Sequence, residues 1–450
     1  MIGTRGLLLQ VEVDSRFHGE KEGICMQVGR RGFLRIAAAV LLLTASLILP
    51  AGAGGPVTIT FWHGMSGVLN PAIDELTNDF NKLNPGIVVN AQYQGNYGTL
   101  NQKLIASVAA GSPPTITQLF PNWADQLIQA KAIVPMENFI KGPDGLSAEE
   151  LSDIFPILRQ ESTFNGVMWT MPFNKSLYIL FYNEDLFKQN NLKPPATWDD
   201  LLNVSKALTK EEGGRTTRYG FVVRPTTDYF LLMLITNGGD FLKPGGKEVA
   251  FNSPAGVEGL QFLIDLVQKH KVAYVLNAFA DADFAAGKVA MYLVTNPGLA
   301  FARAAVAGRF EIGIAPIPYK KSRATLLSGT DVAIMAKAVP EQQVAAWKFI
   351  KFVTGTTATT RWFMKTFYMP VRRSARDSTL ARVYLQQNPE HRAGLDSLAV
   401  ARTAPNIAEW QEIRDIIQEA VEEAVLGKKT AKQALDDAAV KANKLLSQRK

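Results

Sequence analysis

The chain has 450 residues, 48 Lys and Arg against 41 Asp and Glu, a formal charge of +7, four histidines and one cysteine. The length exceeds one small core and suits two or three domains, and a lone cysteine excludes a disulfide framework. The charges are interspersed without a dense Lys/Arg block, which argues against nucleic-acid binding.

The first 25 residues mix charges of both signs with no clear period, and Met26 is the expected start of the protein. Residues 1–25, including Cys25, are then an extension foreign to it. Arg30-Arg31-Gly32-Phe33-Leu34-Arg35 precedes a 14-residue uncharged run, Ile36 to Leu49, and small residues follow at Ala51-Gly52-Ala53. A basic head, a short apolar segment and a small-residue exit make residues 26–53 an export signal. The run is shorter than the roughly 20 apolar residues of a membrane span. The paired arginines fit an ordinary secretory signal and a twin-arginine signal equally. No cysteine follows for lipid attachment, so the expected location is the periplasm or another extracytoplasmic space. The remaining 397 residues carry about +5, because six basic and four acidic residues lie in 1–53.

Past Pro56 two periods alternate. Val57 to Trp62 reads as a strand. Leu69, Ile73, Leu76, Phe80 and Leu83 form one helical stripe, which Asn84-Pro85-Gly86 stops. Ile87 to Tyr93 is a second strand, Leu100, Leu104, Ile105 and Val108 mark a second helix, and Thr115 to Leu119 is a third strand. Such alternation predicts parallel pairing with helices on both faces. Ligands in such sheets collect at the carboxyl ends of the strands, here the loops Trp62-His63-Gly64, Gly95-Asn96-Tyr97 and Phe120-Pro121-Asn122. A second α/β region starts near Asn174. Leu177 to Asn183 is strand-like, and Thr197 with Asp200 caps a helix. Ser253-Pro254 opens another helix, expected to run to His270. Strands are expected at Tyr219 to Val223, Val289 to Val294, Glu311 to Ala315 and Asp331 to Met335, with a helix from Asn296-Pro297 to about Ala307. The C-terminal third is mainly helical, and Thr430 and Gln433 cap its last helix.

The chemistry of catalysis is thin. His63, His270 and His391 lie far apart without cysteine partners, so no metal centre or other cofactor is expected. Gly64-Met65-Ser66-Gly67 misses the spacing of a nucleophile elbow, and Gly427-Lys428-Lys429-Thr430 lacks the glycine of a phosphate loop. A secreted hydrolase using His63 is the one enzymatic alternative. As binding residues, Trp62 is placed to stack on a sugar or polyol face and His63 to donate a hydrogen bond. Trp62 fits the core equally well. The helix start at Asn296-Pro297-Gly298 offers free backbone N–H groups, or is simply a capped helix.

Phe61-Trp62-His63-Gly64-Met65-Ser66-Gly67, Tyr93-Gln94-Gly95-Asn96-Tyr97, Pro172-Phe173-Asn174-Lys175-Ser176, Pro194 to Leu201, Tyr368-Met369-Pro370 and Gly427 to Thr430 occur in one order. Together they resemble the extracellular solute-binding proteins of ATP-binding-cassette importers, family 1, and most of all the glycerol-3-phosphate-binding branch. The resemblance implies a two-lobe α/β fold of the periplasmic binding-protein type II, similar to maltose-binding protein. The lobes are expected at 57–172 with 329–365 and at 173–328 with 366–450. Crossings are expected near Met171-Pro172-Phe173, Leu327-Ser328-Gly329 and Phe363–Tyr368. It implies a monomer that closes on a polyol, glycerophosphate or sugar and hands it to the transmembrane permease subunits. It also implies ligand contacts from Tyr97, Ser176, Gly329 and Tyr368. Two positions depart from the branch. Gln118-Leu119-Phe120-Pro121 stands where the branch has a glutamate. Asn406, or Arg402 in a shifted register, stands where the branch has a phosphate-gripping arginine, and an amide cannot replace that guanidinium. Arg224 is the candidate replacement charge.

Overall fold

The computed structural model describes residues 55–448. The expected extension and export signal lie outside the described residues. The stripe Leu69, Ile73, Leu76 and Phe80 is buried on the helix Asn70–Leu83, while Leu83, at the helix end, is exposed. Thr197 and Asp200 close the expected capping box, as do Thr430 and Gln433. The helix opened by Ser253-Pro254 stops at Gln268, two residues short of His270. The helix Thr227–Thr236 is buried on almost every side, which its near-continuous apolar run requires.

Among the described residues one 11-stranded sheet carries the architecture. Val57–His63 lies between Ile87–Tyr93 and Ile116–Leu119, parallel to both. Ile116–Leu119 pairs antiparallel with the long strand Thr325–Ile334, which pairs antiparallel with the 13-residue strand Met171–Asn183. The far half of Met171–Asn183 pairs with Val289–Thr295 and Ile312–Ala315, and Arg215–Val223 lies beyond. The two long strands are therefore shared by two groups of strands.

Each group has its own core. One gathers Ile59, Phe61, Phe80, Trp347 and Trp362. The other gathers Trp198, Phe221, Tyr229 and Trp410. On Met171–Asn183, Phe173 and Leu177 belong to the first core, and Tyr178 and Leu180 to the second. On Thr325–Ile334, Leu326 belongs to the second and Leu327 and Val332 to the first. On both long strands the buried neighbours thus change from one core to the other. Near the expected third passage, Phe363 packs in the first core and Phe367 against the cluster of Ile179, Phe181 and Tyr292. The helix Thr356–Thr366 buries Trp362 and Phe363 in the first core, and Leu385 and Leu395 still pack there. The chain enters the second core with Ile407 and Trp410.

Candidate ligand-binding cleft

Two cavities lie between the cores. The first, of about 200 Å³, is walled by Phe120, Trp123 and Glu161 on one side and by Tyr178, Asp228 and Arg414 on the other. Ser328, Gly329 and Asn406 also border it. The second, of about 370 Å³, lies between Met65 and Tyr97 on one side and Phe279, Asp281 and Gly298 on the other, with Tyr368 beside them. The cavities adjoin where the Tyr97 and Phe120 rings meet edge to face, centroids 5.0 Å apart. The lobes touch across the cleft through Asn122, whose Nδ2 donates to Gln411 Oε1 at 2.6 Å.

A buried amide chain holds this wall in place. Gly64 N donates to Gln118 Oε1 (2.9 Å), and Gln118 Nε2 donates to Asn174 Oδ1 (3.0 Å). The Thr330 hydroxyl donates to the same oxygen. Asn174 Nδ2 donates to Tyr97 Oη at 2.8 Å, and Tyr97 Oη lies 3.4 Å from Tyr368 Oη. Asn96, whose side chain accepts from Thr99 N, starts the helix Tyr97–Ala109 and so fixes where Tyr97 stands. Tyr368 stacks on Trp362, with 15° between the planes. Burial raises both phenol pKa values, so both hydroxyls stay protonated. Tyr97 accepts from Asn174, and its hydroxyl donates to Met65 Sδ at 3.3 Å, a weaker acceptor than an oxygen.

The other expected residues divide sharply. Gly329 sits at φ +94° beside the first cavity, and a Cβ there would come within 2.1 Å of the Asn174 carbonyl oxygen, so no other residue fits. Ser176 is buried opposite Ser328 in the strand register. Trp62 borders neither cavity; its Nε1 donates to Gln92 Oε1 at 2.9 Å. His63 is 1% exposed between Phe61 and Tyr93 and also borders neither. Its pKa is lowered by burial to about 4, so it is neutral at pH 7. Asn296 Oδ1 accepts from Leu177 N (2.8 Å), and its Nδ2 donates to the Phe367 carbonyl, so its amide joins backbone to backbone. Arg224 lies over the exposed Phe279 ring at the edge of the second cavity, 4.4 Å from the centroid. Asn406 Nδ2 donates to the Glu161 carbonyl at 2.8 Å at the border of the first cavity. Arg402 pairs instead with Asp240 on the surface.

Sequence reasoning missed the charged groups of the first cavity. Arg414 Nη1 lies 2.8 Å from Asp228 Oδ1, and the Tyr178 hydroxyl donates to Asp228 Oδ2 at 2.8 Å. Burial opposes ionisation of Asp228, but Arg414 and Tyr178 hold its carboxyl below the usual range. Glu161, Lys175 and Asp331 form a second buried group, with Lys175 Nζ 2.5 Å from Glu161 Oε2 and 3.1 Å from Asp331 Oδ1. The only signal for it was Lys175 inside the Pro172–Ser176 motif. Among the described residues no cluster of three His, Cys, Asp or Glu is arranged to hold a metal.

Comparison with known proteins follows this geometry. Residues 75–393 match the family described as bacterial extracellular solute-binding protein. The chain is 28% identical over 435 residues to the sn-glycerol-3-phosphate-binding periplasmic protein UgpB of Escherichia coli O1:K1, covering 92% of this chain and 97% of that protein. Its structure is similar to UgpB of Mycobacterium tuberculosis in complex with glycerophosphocholine (TM-score 0.78, 25% identity, 88% of this chain and 99% of that one). It is also similar to an ABC-transporter solute-binding protein of Thermotoga lettingae bound with α-D-tagatose (TM-score 0.76, 25% identity, 87% and 100%). Two cores joined by shared strands around a cleft, with a match running through most of the chain, mean that the protein belongs to the bacterial extracellular solute-binding proteins of ABC importers.

Proposed function

We propose that the chain captures a hydroxyl-rich solute, whether a sugar, a polyol or a glycerophosphodiester, in the cleft between its lobes and delivers it unaltered to the permease. The observation that carries this reading is the convergence of Tyr97, Gly329 and Tyr368 on adjoining cavities walled from both lobes. Aromatic faces at Phe120, Trp123 and Tyr97 suit the C–H face of a sugar ring, and hydroxyl and amide groups suit its oxygens. The similarity to proteins that bind glycerol-3-phosphate, glycerophosphocholine and tagatose supports the same class. Ligand bridging both lobes favours their closed arrangement by its differential affinity. In this reading the lobes divide where the strands change core, at 177/178, at 326/327 and between 395 and 407. The protein works outside the cytoplasm as a monomer, with neither cofactor nor nucleic acid.

The test is a thermal-shift panel of sugars, polyols and glycerophosphates, followed by calorimetry on each stabilising compound. Saturable stabilisation without product formation is expected. The double variant Tyr97→Ala, Tyr368→Ala is expected to bind at least about tenfold more weakly, the loss of one or more hydrogen bonds with aromatic surface. Wild-type affinity in that variant would move the site elsewhere.

A further inference from the structure

Glu161 ends the helix Pro156–Glu161 and forms part of the wall of the first cavity, 5% exposed. Among the described residues, Lys175 is the only polar partner of its carboxylate. The contact is an ion pair at Oε2 rather than a well-aligned hydrogen bond. Asp331 takes the larger share of donors. Its Oδ2 accepts from Ser162 Oγ (2.6 Å) and Thr170 Oγ1 (2.5 Å), and Lys175 reaches its Oδ1. One buried lysine thus serves two buried carboxylates, and the one left short of donors faces the cavity. Among the described residues its other oxygen, Oε1, has no donor, and a buried carboxylate gains from one supplied by a molecule in the cavity.

The opposite wall narrows what can enter. Arg414 is paired with Asp228, and Tyr178 occupies the second oxygen of that carboxylate. Among the described residues this cavity presents no unpaired cation, and a phosphate dianion there would face Glu161 and Asp228 together. A neutral hydroxyl meets an acceptor with free lone pairs, beside the apolar faces of Phe120 and Trp123.

We propose that Glu161 is the specificity-determining residue of the first cavity: its carboxylate, seated on Lys175, accepts a hydrogen bond from a ligand hydroxyl, so the cleft selects neutral polyhydroxylated molecules over phosphate monoesters. This rests on the solute-binding reading above. The groups that bear on the carboxyl are Lys175 and Asp331 on the two shared strands and, across the cavity, Asp228, Arg414 and Tyr178. Burial, with Asp331 adding to it and Lys175 opposing, pushes the Glu161 pKa up to about 7. A hydroxyl donor favours the ionised form, so binding near neutrality releases the Glu161 proton to solvent, and affinity rises with pH through that value.

Calorimetry with neutral hexoses and disaccharides, and with sn-glycerol 3-phosphate, tests this on the wild-type chain and on Glu161→Gln. The neutral sugars are expected to bind more tightly than the phosphate ester. In two buffers of different ionisation enthalpy at pH 7, sugar binding is expected to release about half a proton. Glu161→Gln is expected to weaken sugar binding about tenfold, the effect of one charge-assisted hydrogen bond, and to flatten the pH profile of Kd. A merely structural role would lower Tm without touching that profile. Tighter binding of sn-glycerol 3-phosphate, proton uptake, or no proton exchange in the wild type overturns the proposal and leaves the solute-binding reading intact. So does a variant with unchanged Kd and pH profile. Absence of saturable binding by every compound overturns both. The proton count needs only the wild-type protein, so the proposal stands or falls even where the variant does not fold.

Discussion

At the scale of single residues, enclosed titratable groups stand on both sides of neutrality. His63 is neutral between two aromatic rings, with its pKa depressed to about 4 from a reference of 6.5. The unfolded chain binds more protons between those values, so stability falls as pH drops from 6.5 towards 4. For one such group the loss is on the order of 3 kcal/mol. Urea unfolding at pH 7 and pH 4.5 is expected to show a smaller acid loss in His63→Leu than in the wild type. Equal losses would mean that the ring gains protons without unfolding. His391, held near 4 by burial and by Arg303, adds to the same limb and is unaffected by that variant. Glu161 acts in the opposite sense. Its raised pKa gives stability that is complete below the ordinary carboxylate range and lost as pH rises to about 7.

At the scale of elements, the joint between the lobes rests on backbone contacts made by one side chain. Asn296 follows the strand Val289–Thr295 and holds the N–H of Leu177 and the carbonyl of Phe367. Asn296→Ala leaves both groups without a partner near the joint, at a cost of about 1–3 kcal/mol each if they stay dry. The variant is expected to unfold at lower urea concentration than the wild type, and a midpoint within error of it would show that water replaces the amide. The strands, helices and caps named from the sequence were legible because their signals are local: the stripe from Leu69 to Phe80 and the boxes at Thr197 and Thr430. Motif resemblance singled out Tyr97, Gly329 and Tyr368, which border the two cavities. Asp228 with Arg414, and Glu161 with Lys175 and Asp331, were not legible. Each pairing joins distant parts of the chain, and no local period marks it. Trp62 borders neither cavity, for the converse reason. Strand alternation gives the side of the sheet a residue faces, but not that Gln92 on the neighbouring strand would hold the indole.

At the scale of the whole described unit, the two main cores meet through a few backbone passages and a cleft. Contact across that cleft is polar at Asn122 and Gln411 and apolar where Phe301 packs against the first core. A ligand touching both lobes adds its differential affinity to the closed arrangement. Small-angle scattering on the protein with and without a saturating ligand is expected to show a smaller radius of gyration in the bound form. An identical radius would mean that the lobes stay shut and that ligand enters by another route.

The amide of Asn296 carries one more implication. It follows a second-lobe strand, yet it grips Leu177, the last first-core residue before the chain changes lobes, and Phe367 close behind it. A point tied to both sides can barely travel, so it acts as a fulcrum. A swing of one half against the other is expected to turn about an axis near this side chain, parting contacts such as Asn122 with Gln411.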